Sequence, residues 1–429
     1  MIKKIISNFL SNRTGQVIQG KHKSKTYRLH NGVPQGAILS PSLFNLFMHD
    51  LPTPNSPQVV ISSYADDLTI TSQNTTARLA ATNLQQYINE LEHWLSTNRM
   101  TVSPQKSSIT LFTSDRRESN LHPLITMLGN RLPLNKTPTI LGLTLDTHMS
   151  FTPHIINIST KATRRIGVLK TLTGIKFGQH KETLKIVYKQ FIEATINYAV
   201  PAWGPVISKS NWDRLERVQN RALRVITGCL PTTPISHLHA ETKVLPIKDH
   251  LDLIGTQFYS KTLNLDHPLH FSLRPTPAPR AKKNTPALYF SHIFNNIPPP
   301  PPNITLIKHI HTCLTARSLS RRPPNTILNA PPPEISPEEQ TLDRQSRVYL
   351  SRLRCGHHPS LMEYKFRFNQ SQSPSCPRCL SPAPDSVHHL LLSCPSFTEA
   401  RRSSGISSLR DLWTGPEIVA TFLKEARLL

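Results

Sequence analysis

Two adjacent carboxylates between two runs of β-forming residues constrain this chain more than any other feature. The runs are Val-Val-Ile at 59–61 and Leu-Thr-Ile at 68–70, and Asp66 and Asp67 lie in the short segment between them. This order predicts an antiparallel hairpin with both aspartates at its tip. Their mutual repulsion favours a divalent cation, and oxygen-only ligation suits Mg²⁺ together with substrate phosphates. The pattern indicates a two-metal phosphoryl-transfer site, with a solvated turn as the alternative.

A glycine-bracketed motif precedes the hairpin, and a helix is predicted to follow it. Gly32 and Gly36 flank Pro34 and Gln35, so the backbone there can approach a ligand closely. Downstream, apolar residues recur at helical spacing and predict one buried helix face: these are Leu84, Ile88, Leu91 and Leu95. Lys106 follows this helix and precedes a second strand-like run.

The order of these motifs resembles the reverse transcriptases of non-LTR retrotransposons of the jockey and CR1 type. The resemblance lies in GVPQGAILSPSLFNLFMHDLP (32–52), YADD (64–67), WLSTNRMTVSPQKSSITLF (94–112), KATRRIGVLKTLTG (161–174) and LERVQNRALRVITG (215–228). It implies an α+β fold: a partial polymerase palm with a helical thumb, a proline-rich linker and a small zinc-binding C-terminal segment. The boundaries expected for these parts are 1–146, 147–265, 266–345 and 346–429.

The resemblance also assigns roles to residues of the motifs. Asp66 and Asp67 would be catalytic and hold Mg²⁺, and Lys106 would lie near the triphosphate as a proton donor to the leaving group. The residues expected to contact nucleotide, primer end and template are Tyr64, Ala65, Pro34, Gln35 and Gly36. The implied partners are an RNA template and a DNA primer or target.

One element of the family pattern is missing. The family uses a third carboxylate on an earlier palm strand, whereas residues 1–30 contain no Asp or Glu. Phe9–Thr14 resembles the family segment that follows that strand, so we expect the fingers and first palm strand to be absent. Asp50 lies at the end of the motif helix and is not expected to replace the missing acid. Without that ligand the resemblance alone does not predict a working polymerase.

Charge predicts a nucleic-acid partner independently of the motifs. Lys and Arg number 50 against 26 Asp and Glu, which gives a formal charge of +24. A solvated surface usually mixes both signs, so this excess indicates contact with phosphate backbones. In the predicted helix Trp212–Gly228, four arginines at helical spacing form one stripe: Arg214, Arg217, Arg221 and Arg224. The resemblance favours template–primer binding by this stripe, and a solvated helix face is the alternative.

The stretch from Asp266 to Ser346 is rich in proline, including five consecutive prolines at 298–302. Proline cannot continue helices or central strands, so the stretch is predicted to be a basic, semi-rigid linker. It contains no acidic residue between His267 and Pro333. An RNase H site needs several carboxylates for its metals, so that domain is excluded here.

Cysteine and histidine near the C-terminus predict a closed, structural Zn²⁺ site. Cys376 and Cys379 form a compact pair, and Cys394 follows a helix-like run. With one histidine they complete a Cys₃His set, and the resemblance favours His389 over His388. Disulfide pairing is the alternative, but no secretory signal precedes the segment. Basic neighbours of the cluster suggest an RNA or DNA contact: they include Arg367, Arg378, Arg401 and Arg402.

Three functions are consistent with these observations. The first is an RNA-directed DNA polymerase, and the second is a non-catalytic remnant that still binds nucleic acid. The third is a viral RNA-dependent RNA polymerase, which usually carries glycine where this chain has Ala65. No run is long and apolar enough to span a membrane, and we expect a nuclear or cytoplasmic ribonucleoprotein that is not secreted.

Overall fold

The computed structural model describes residues 1–113, 115, 117–273, 285–379 and 382–429. It contains helices and strands, in agreement with an α+β fold at the coarse level. The chain divides into two compact units, the N-terminal unit Met1–Pro138 and the C-terminal unit Thr139–Leu429. The expected thumb, linker and C-terminal segment therefore lie within one compact unit. The part of the proline-rich stretch at 274–284 lies outside the described residues.

Among its described residues, the N-terminal unit contains short antiparallel strand pairs and three α-helices. Its strands are β1 (Thr14–Gly15), β2 (Ile18–Gln19), β3 (His22–Lys23), β4 (Tyr27–Arg28), β5 (Val59–Tyr64), β6 (Asp67–Ser72), β7 (Thr126–Met127) and β8 (Asn130–Arg131). They pair as β1–β4, β2–β3, β5–β6 and β7–β8. Its helices are α1 (Ile2–Leu10), α2 (Ser40–Phe47) and α3 (Ala77–Thr97).

The β5–β6 hairpin and α3 form the core of this unit. The Thr76 side chain accepts a hydrogen bond from the Leu79 amide and caps α3, whose predicted apolar face is buried. The buried members of this face are Ile88, Leu91 and Leu95. Val59 of β5 packs into the same core. The hairpin is thereby attached to a rigid helix through its base.

The C-terminal unit is mainly helical. Its strands β9 (Thr139–Ile140) and β10 (Leu143–Thr144) pair antiparallel. Its helices are α4 (Thr152–Leu172), α5 (Lys181–Val187), α6 (Ala194–Asn197), α7 (Val200–Trp203), α8 (Lys209–Thr227), α9 (Ile235–Thr242), α10 (Ile247–Thr262), α11 (Pro286–Asn295), α12 (Leu306–Ser320), α13 (Arg344–Leu353), α14 (Met362–Arg367), α15 (Thr398–Ser404), α16 (Asp411–Thr414) and α17 (Pro416–Glu425). None of the helices described in either unit has the length and apolar character that a membrane span requires.

Helix α8 is the central element of the first of two cores in this unit. Leu215 and Leu223 are fully buried, together with Trp203 from α7. Ser208 caps the start of α8, and Gly228 ends it with a left-handed φ of 70°. The second core joins α13 to the C-terminal helices through Leu350, Phe422 and neighbouring apolar side chains.

The structure differs from the expected linker in the part of the proline-rich stretch that it describes. Helices α11 and α12 both pack against α10, and Phe290 of α11 is buried. Asp249 of α10 accepts hydrogen bonds from Ser318 and Arg321 at 2.6 and 2.8 Å. Acidic groups from α10 thus complement α11 and α12, which carry no acidic residue. Composition predicted a semi-rigid linker, and it could not reveal these two helices or the acidic groups of α10 that they contact.

A buried ion network connects the two cores. Arg354, which has no exposed side-chain surface, donates to Glu241 at 2.8 Å and pairs with Glu339. Lys181 contacts the same two carboxylates at 3.1 and 2.8 Å. Burial alone would raise the pKa of Glu241, but Arg354 and then Lys181 lower it from 4.5 to about 2. The four groups form a nearly neutral cluster in which each charge has opposite neighbours.

Candidate functional site

The β5–β6 hairpin places the two predicted carboxylates at its tip. Tyr64 pairs with Asp67 at the last position of the ladder, so Ala65 and Asp66 form a two-residue turn. Ala65 has a left-handed φ of 53°, a conformation that L residues rarely adopt. Farther from the tip, Ile61 and Ile70 face each other and pack against the core. The strands are therefore anchored at their base, and the tip extends from them.

The tip is open to solvent. Asp66 and Asp67 are both exposed, and Tyr64 is 67% exposed. Two accessible carboxylates next to each other are suitable oxygen ligands for Mg²⁺. The part of the chain that the structure describes brings no third metal-ligating side chain to this pair. The donor set therefore fits Mg²⁺ in type but provides fewer protein ligands than the family pattern implies.

The other predicted residues of the N-terminal unit lie in turns. Gly32 and Gly36 have φ values of 76° and 82°, and the segment between them carries Pro34 and Gln35 immediately before α2. Gln35 and Gly36 are exposed. Lys106 is exposed in the turn after α3, and its amide donates to the Ser103 carbonyl at 3.1 Å. All of these groups are accessible to a ligand from solvent.

The structure brings the four predicted zinc ligands together. Ligand atoms of Cys376, Cys379, His389 and Cys394 all lie within 4.8 Å of one another. The Sγ atoms of Cys376 and Cys394 are 4.0 Å apart, and Cys379 Sγ lies 3.3 Å from His389 Nε2. Among the described residues this is the one such group. Three thiols and one imidazole at this spacing fit a tetrahedral Zn²⁺ ion.

Local backbone structure explains this convergence. A bridge between Ser375 and Pro384 folds the Cys376–Cys379 loop back on itself. A π-helical segment, His389–Ser393, then connects the histidine to Cys394. His389 is buried, whereas the neighbouring His388 is exposed. Helical phase therefore brings His389, and not His388, to the three cysteines.

Two arginines that we expected to contact nucleic acid form hydrogen bonds within the cysteine segment. Arg378 pairs with the buried Asp385 at 2.7 Å, and Asp385 also accepts the Met362 amide at 3.0 Å. Arg401 donates to the Cys394 carbonyl at 2.6 Å. Sequence reasoning missed Asp385 because a lone aspartate among prolines and serines has no pattern to identify it. Arg402 remains exposed.

The predicted arginine stripe on α8 is shorter than expected. Arg214, Arg217 and Arg221 are exposed on one side of the helix. Arg224 is partly buried, and its guanidinium donates to the carbonyls of Leu230 and Thr233 at 3.3 and 3.4 Å. The chain turns back past Gly228 over the end of the helix, which helical spacing alone could not predict. Three arginines therefore remain available for phosphate contacts.

Known proteins match this chain over part of its length. Residues 1–145 match the reverse transcriptase (RNA-dependent DNA polymerase) family. The chain is 28% identical over 269 residues to the probable RNA-directed DNA polymerase from transposon BS of Drosophila melanogaster, covering 61% of this chain and 29% of that protein. It is 26% identical over 274 residues to the RNA-directed DNA polymerase from mobile element jockey of the same species, covering 62% and 29%.

A third relative is the probable RNA-directed DNA polymerase from transposon X-element of Drosophila melanogaster. It is 23% identical over 279 residues, which cover 64% of this chain and 30% of the relative. The chain thus spans less than a third of the length of each of these curated relatives. The resemblance carried by the motifs is confirmed, and the chain is related to the reverse transcriptases of non-LTR retrotransposons.

Proposed function

We propose that this chain provides the catalytic hairpin and nucleic-acid-binding helices of an RNA-directed DNA polymerase. The observation that carries the proposal is the exposed Asp66–Asp67 pair on an anchored hairpin, within the span that matches the reverse transcriptase family. The substrates would be a primer with a free 3′-hydroxyl, an RNA template and deoxynucleoside triphosphates. The primer oxygen bonds to the α-phosphorus while the bond to pyrophosphate breaks.

The exposed groups of the hairpin and of the other predicted turns would each have a role in this reaction. Asp66 and Asp67 would hold Mg²⁺, which neutralises phosphate charge when it is bound. Tyr64 and Ala65 would support the primer end beside the carboxylates. Lys106 would donate a proton to the departing pyrophosphate.

The turn before α2 would position the paired nucleotide and template. Gly32 and Gly36 give its backbone the left-handed conformations that allow a ligand to approach closely. Pro34 and Gln35 lie between these glycines, and Gln35 is exposed. Contacts from Gln35 and Gly36 would fix the substrate by geometry, which is the main contribution that a protein makes to phosphoryl transfer.

Primer extension tests the assignment of the hairpin. We expect the chain, given an RNA template, a DNA primer, Mg²⁺ and deoxynucleotides, to lengthen the primer. Asp66→Ala should reduce extension to the level seen without protein because it removes a metal ligand. Asp50→Ala is the matched control, since Asp50 lies in the short 3₁₀ helix Met48–Asp50 that follows α2 and has no assigned metal role. Extension that survives Asp66→Ala would refute the assignment.

A second function is favoured by the number of carboxylates. The described residues supply only two acids at the hairpin tip, so the chain could bind nucleic acid without polymerising it. Salt-sensitive binding of primer–template by a chain that never extends the primer would support this alternative. The same result would contradict polymerisation by this chain alone. Gel-resolved extension and binding titrations on one preparation separate the two functions.

The α8 stripe would contact the phosphate backbone in either case. Arg214, Arg217 and Arg221 are exposed with an unobstructed approach, and guanidinium groups bind phosphate oxygens well. Arg224 is excluded from this set because backbone carbonyls already occupy its guanidinium. The stripe would contribute affinity that is independent of sequence.

The cysteine segment would hold one Zn²⁺ ion through Cys376, Cys379, His389 and Cys394. Support comes from the convergence of their ligand atoms and from the burial of Cys376, His389 and Cys394. A set of four protein ligands leaves no open coordination position, so the ion would stabilise the fold and would not act in catalysis.

A further inference from the structure

The loop between α4 and α5 displays two large apolar side chains and a lysine to solvent. Thr173 and Gly178 close the loop through an antiparallel bridge, and the Gly174 amide donates to the Phe177 carbonyl at 2.8 Å. Ile175 and Phe177 at its tip are 55% and 64% exposed. Lys176, between them, is also exposed. All three side chains are therefore accessible to a partner from solvent.

The base of this loop is fixed by a buried arginine. Arg344 of α13 donates to the Gly174 carbonyl at 3.2 Å and to the carbonyls of Val225 and Ile226 at 3.0 and 2.6 Å. Its side chain is almost completely buried. The loop is thereby tied to the end of α8, so binding a partner requires little further ordering.

The charge around the loop is suited to a polyanion. No Asp or Glu occurs between Asp146 and Glu182, a stretch that includes all of α4 and the loop. On the helix that leads into the loop, Lys161, Arg164 and Lys170 are exposed. Positive charge beside an exposed aromatic ring is the combination that single-stranded nucleic acid binds, through its phosphates and through the faces of its unpaired bases.

We propose that loop 173–178 binds an unpaired stretch of nucleic acid, with Phe177 stacked on a base and Lys176 paired with a phosphate. This inference rests on the nucleic-acid-binding part of the proposed function. It specifies that this surface binds single-stranded nucleic acid. The Phe177 ring packs closely over Gly174: a Cβ atom added at Gly174 would lie only 2.7 Å from Cε1 of the ring. The glycine thus allows the ring to lie against the loop while most of it stays exposed.

Fluorescence anisotropy of the full chain with labelled oligo(dT), oligo(rU) and a mixed-sequence duplex tests the inference. Phe177→Ala should weaken single-strand binding roughly 5- to 150-fold, the loss expected when one base loses its stacking partner, and Phe177→Trp should restore it. Duplex affinity should not change. Lys176→Ala should lower the slope of log affinity against log salt by about 0.7, whereas Phe177→Ala should leave that slope unchanged.

Two matched variants control for the loss of an exposed apolar side chain or of a positive charge outside the loop. Leu265→Ala removes an apolar side chain that is 71% exposed elsewhere in the unit, and Lys308→Ala removes an exposed charge on α12. Both should bind single strands as the wild type does. Thermal unfolding followed by circular dichroism verifies that each variant is folded. The two labelled single strands show whether the loop prefers RNA or DNA.

Several results would overturn the inference. Wild-type affinity in Phe177→Ala refutes stacking, and an equal loss with duplex shows that the loop contacts paired strands instead. Loss of binding to anionic lipid vesicles, with single-strand binding unchanged, identifies a membrane contact. Because binding is measured without nucleotides, a chain that fails to extend primers can still confirm the loop. A chain that binds no nucleic acid at low salt refutes both proposals.

Discussion

At the scale of single residues, two glycines in helix interiors have opposite consequences. Gly255 of α10 lies under Phe290 of α11, and a Cβ atom at Gly255 would come within 2.1 Å of the phenylalanine ring. Gly167 of α4 has no atom within 4 Å of the position its Cβ would take. Gly255 therefore leaves the space that the Phe290 ring of α11 occupies, whereas Gly167 only destabilises its own helix.

Substituting each glycine by alanine tests this difference. Gly255→Ala should lower the free energy of unfolding by about 1–3 kcal/mol, because Phe290 must move out of this space. Gly167→Ala should raise it by about 0.5–1 kcal/mol through improved helix propensity. Urea unfolding of both variants provides the measurement. Equal stabilisation by both substitutions would mean that α11 does not dock on α10.

At the scale of elements, the proposed zinc ion would stabilise the cysteine segment only locally, unlike the ion of a small zinc finger. The surrounding helices have an apolar core of their own, which includes Leu350, Leu412 and Phe422. Removal of zinc should therefore unfold the ligand loops and leave the helices in place, whereas isolated zinc fingers unfold completely. Arg378 and Asp385 would hold the start of the segment in its absence.

Metal analysis and hydrogen exchange test this expectation. The purified chain should carry one zinc ion, and chelation should increase amide exchange in residues 374–379 and 382–397 while α13 and α17 remain protected. His389→Ala should lose the ion, and His388→Ala, which changes an exposed neighbour, should keep it. Zinc retention by His389→Ala, or loss by His388→Ala, would show that the ligand set is wrong.

The sequence predicted those features that depend only on residues close together in the chain. The Cys376–Cys379 spacing and the hairpin pattern at Asp66 depend on neighbours along the chain, and the structure places both as expected. Helical spacing could not reveal that Arg224 is partly buried, because its carbonyl partners come from a turn beyond the helix. The packing of α11 on Gly255 could not be predicted, since it depends on a complementary surface distant in sequence.

At the scale of the whole molecule, the buried ion network adds a pH-dependent term to stability. The pKa of Glu241 falls from 4.5 to about 2 on folding, so the carboxylate releases its proton more readily in the folded state. Its contribution is complete above pH 4.5 and is lost as the pH falls toward 2. A shift of this size corresponds to a contribution on the order of 3 kcal/mol.

The Glu241→Gln variant measures this term. It should be strongly destabilised near neutral pH, by about 3–5 kcal/mol, because Arg354 and Lys181 lose a buried partner. In denaturant unfolding, the difference in the free energy of unfolding between the variant and wild type should become smaller as the pH is lowered from 5 to 3. Glu334→Gln is the matched control, since its pair with Lys243 is exposed and should contribute little. A deficit that is constant over this range would contradict the linkage.

The same network has a consequence for how the chain folds during synthesis. Arg354 is made 113 residues after Glu241, and Glu339 is made 158 residues after Lys181. Until those later residues leave the ribosome, the earlier helices carry charged groups whose burial is not yet compensated. The native pairing closes long loops, which is slow compared with local helix formation. A nascent chain that stops before Arg354 should therefore be a natural target for chaperones and proteases.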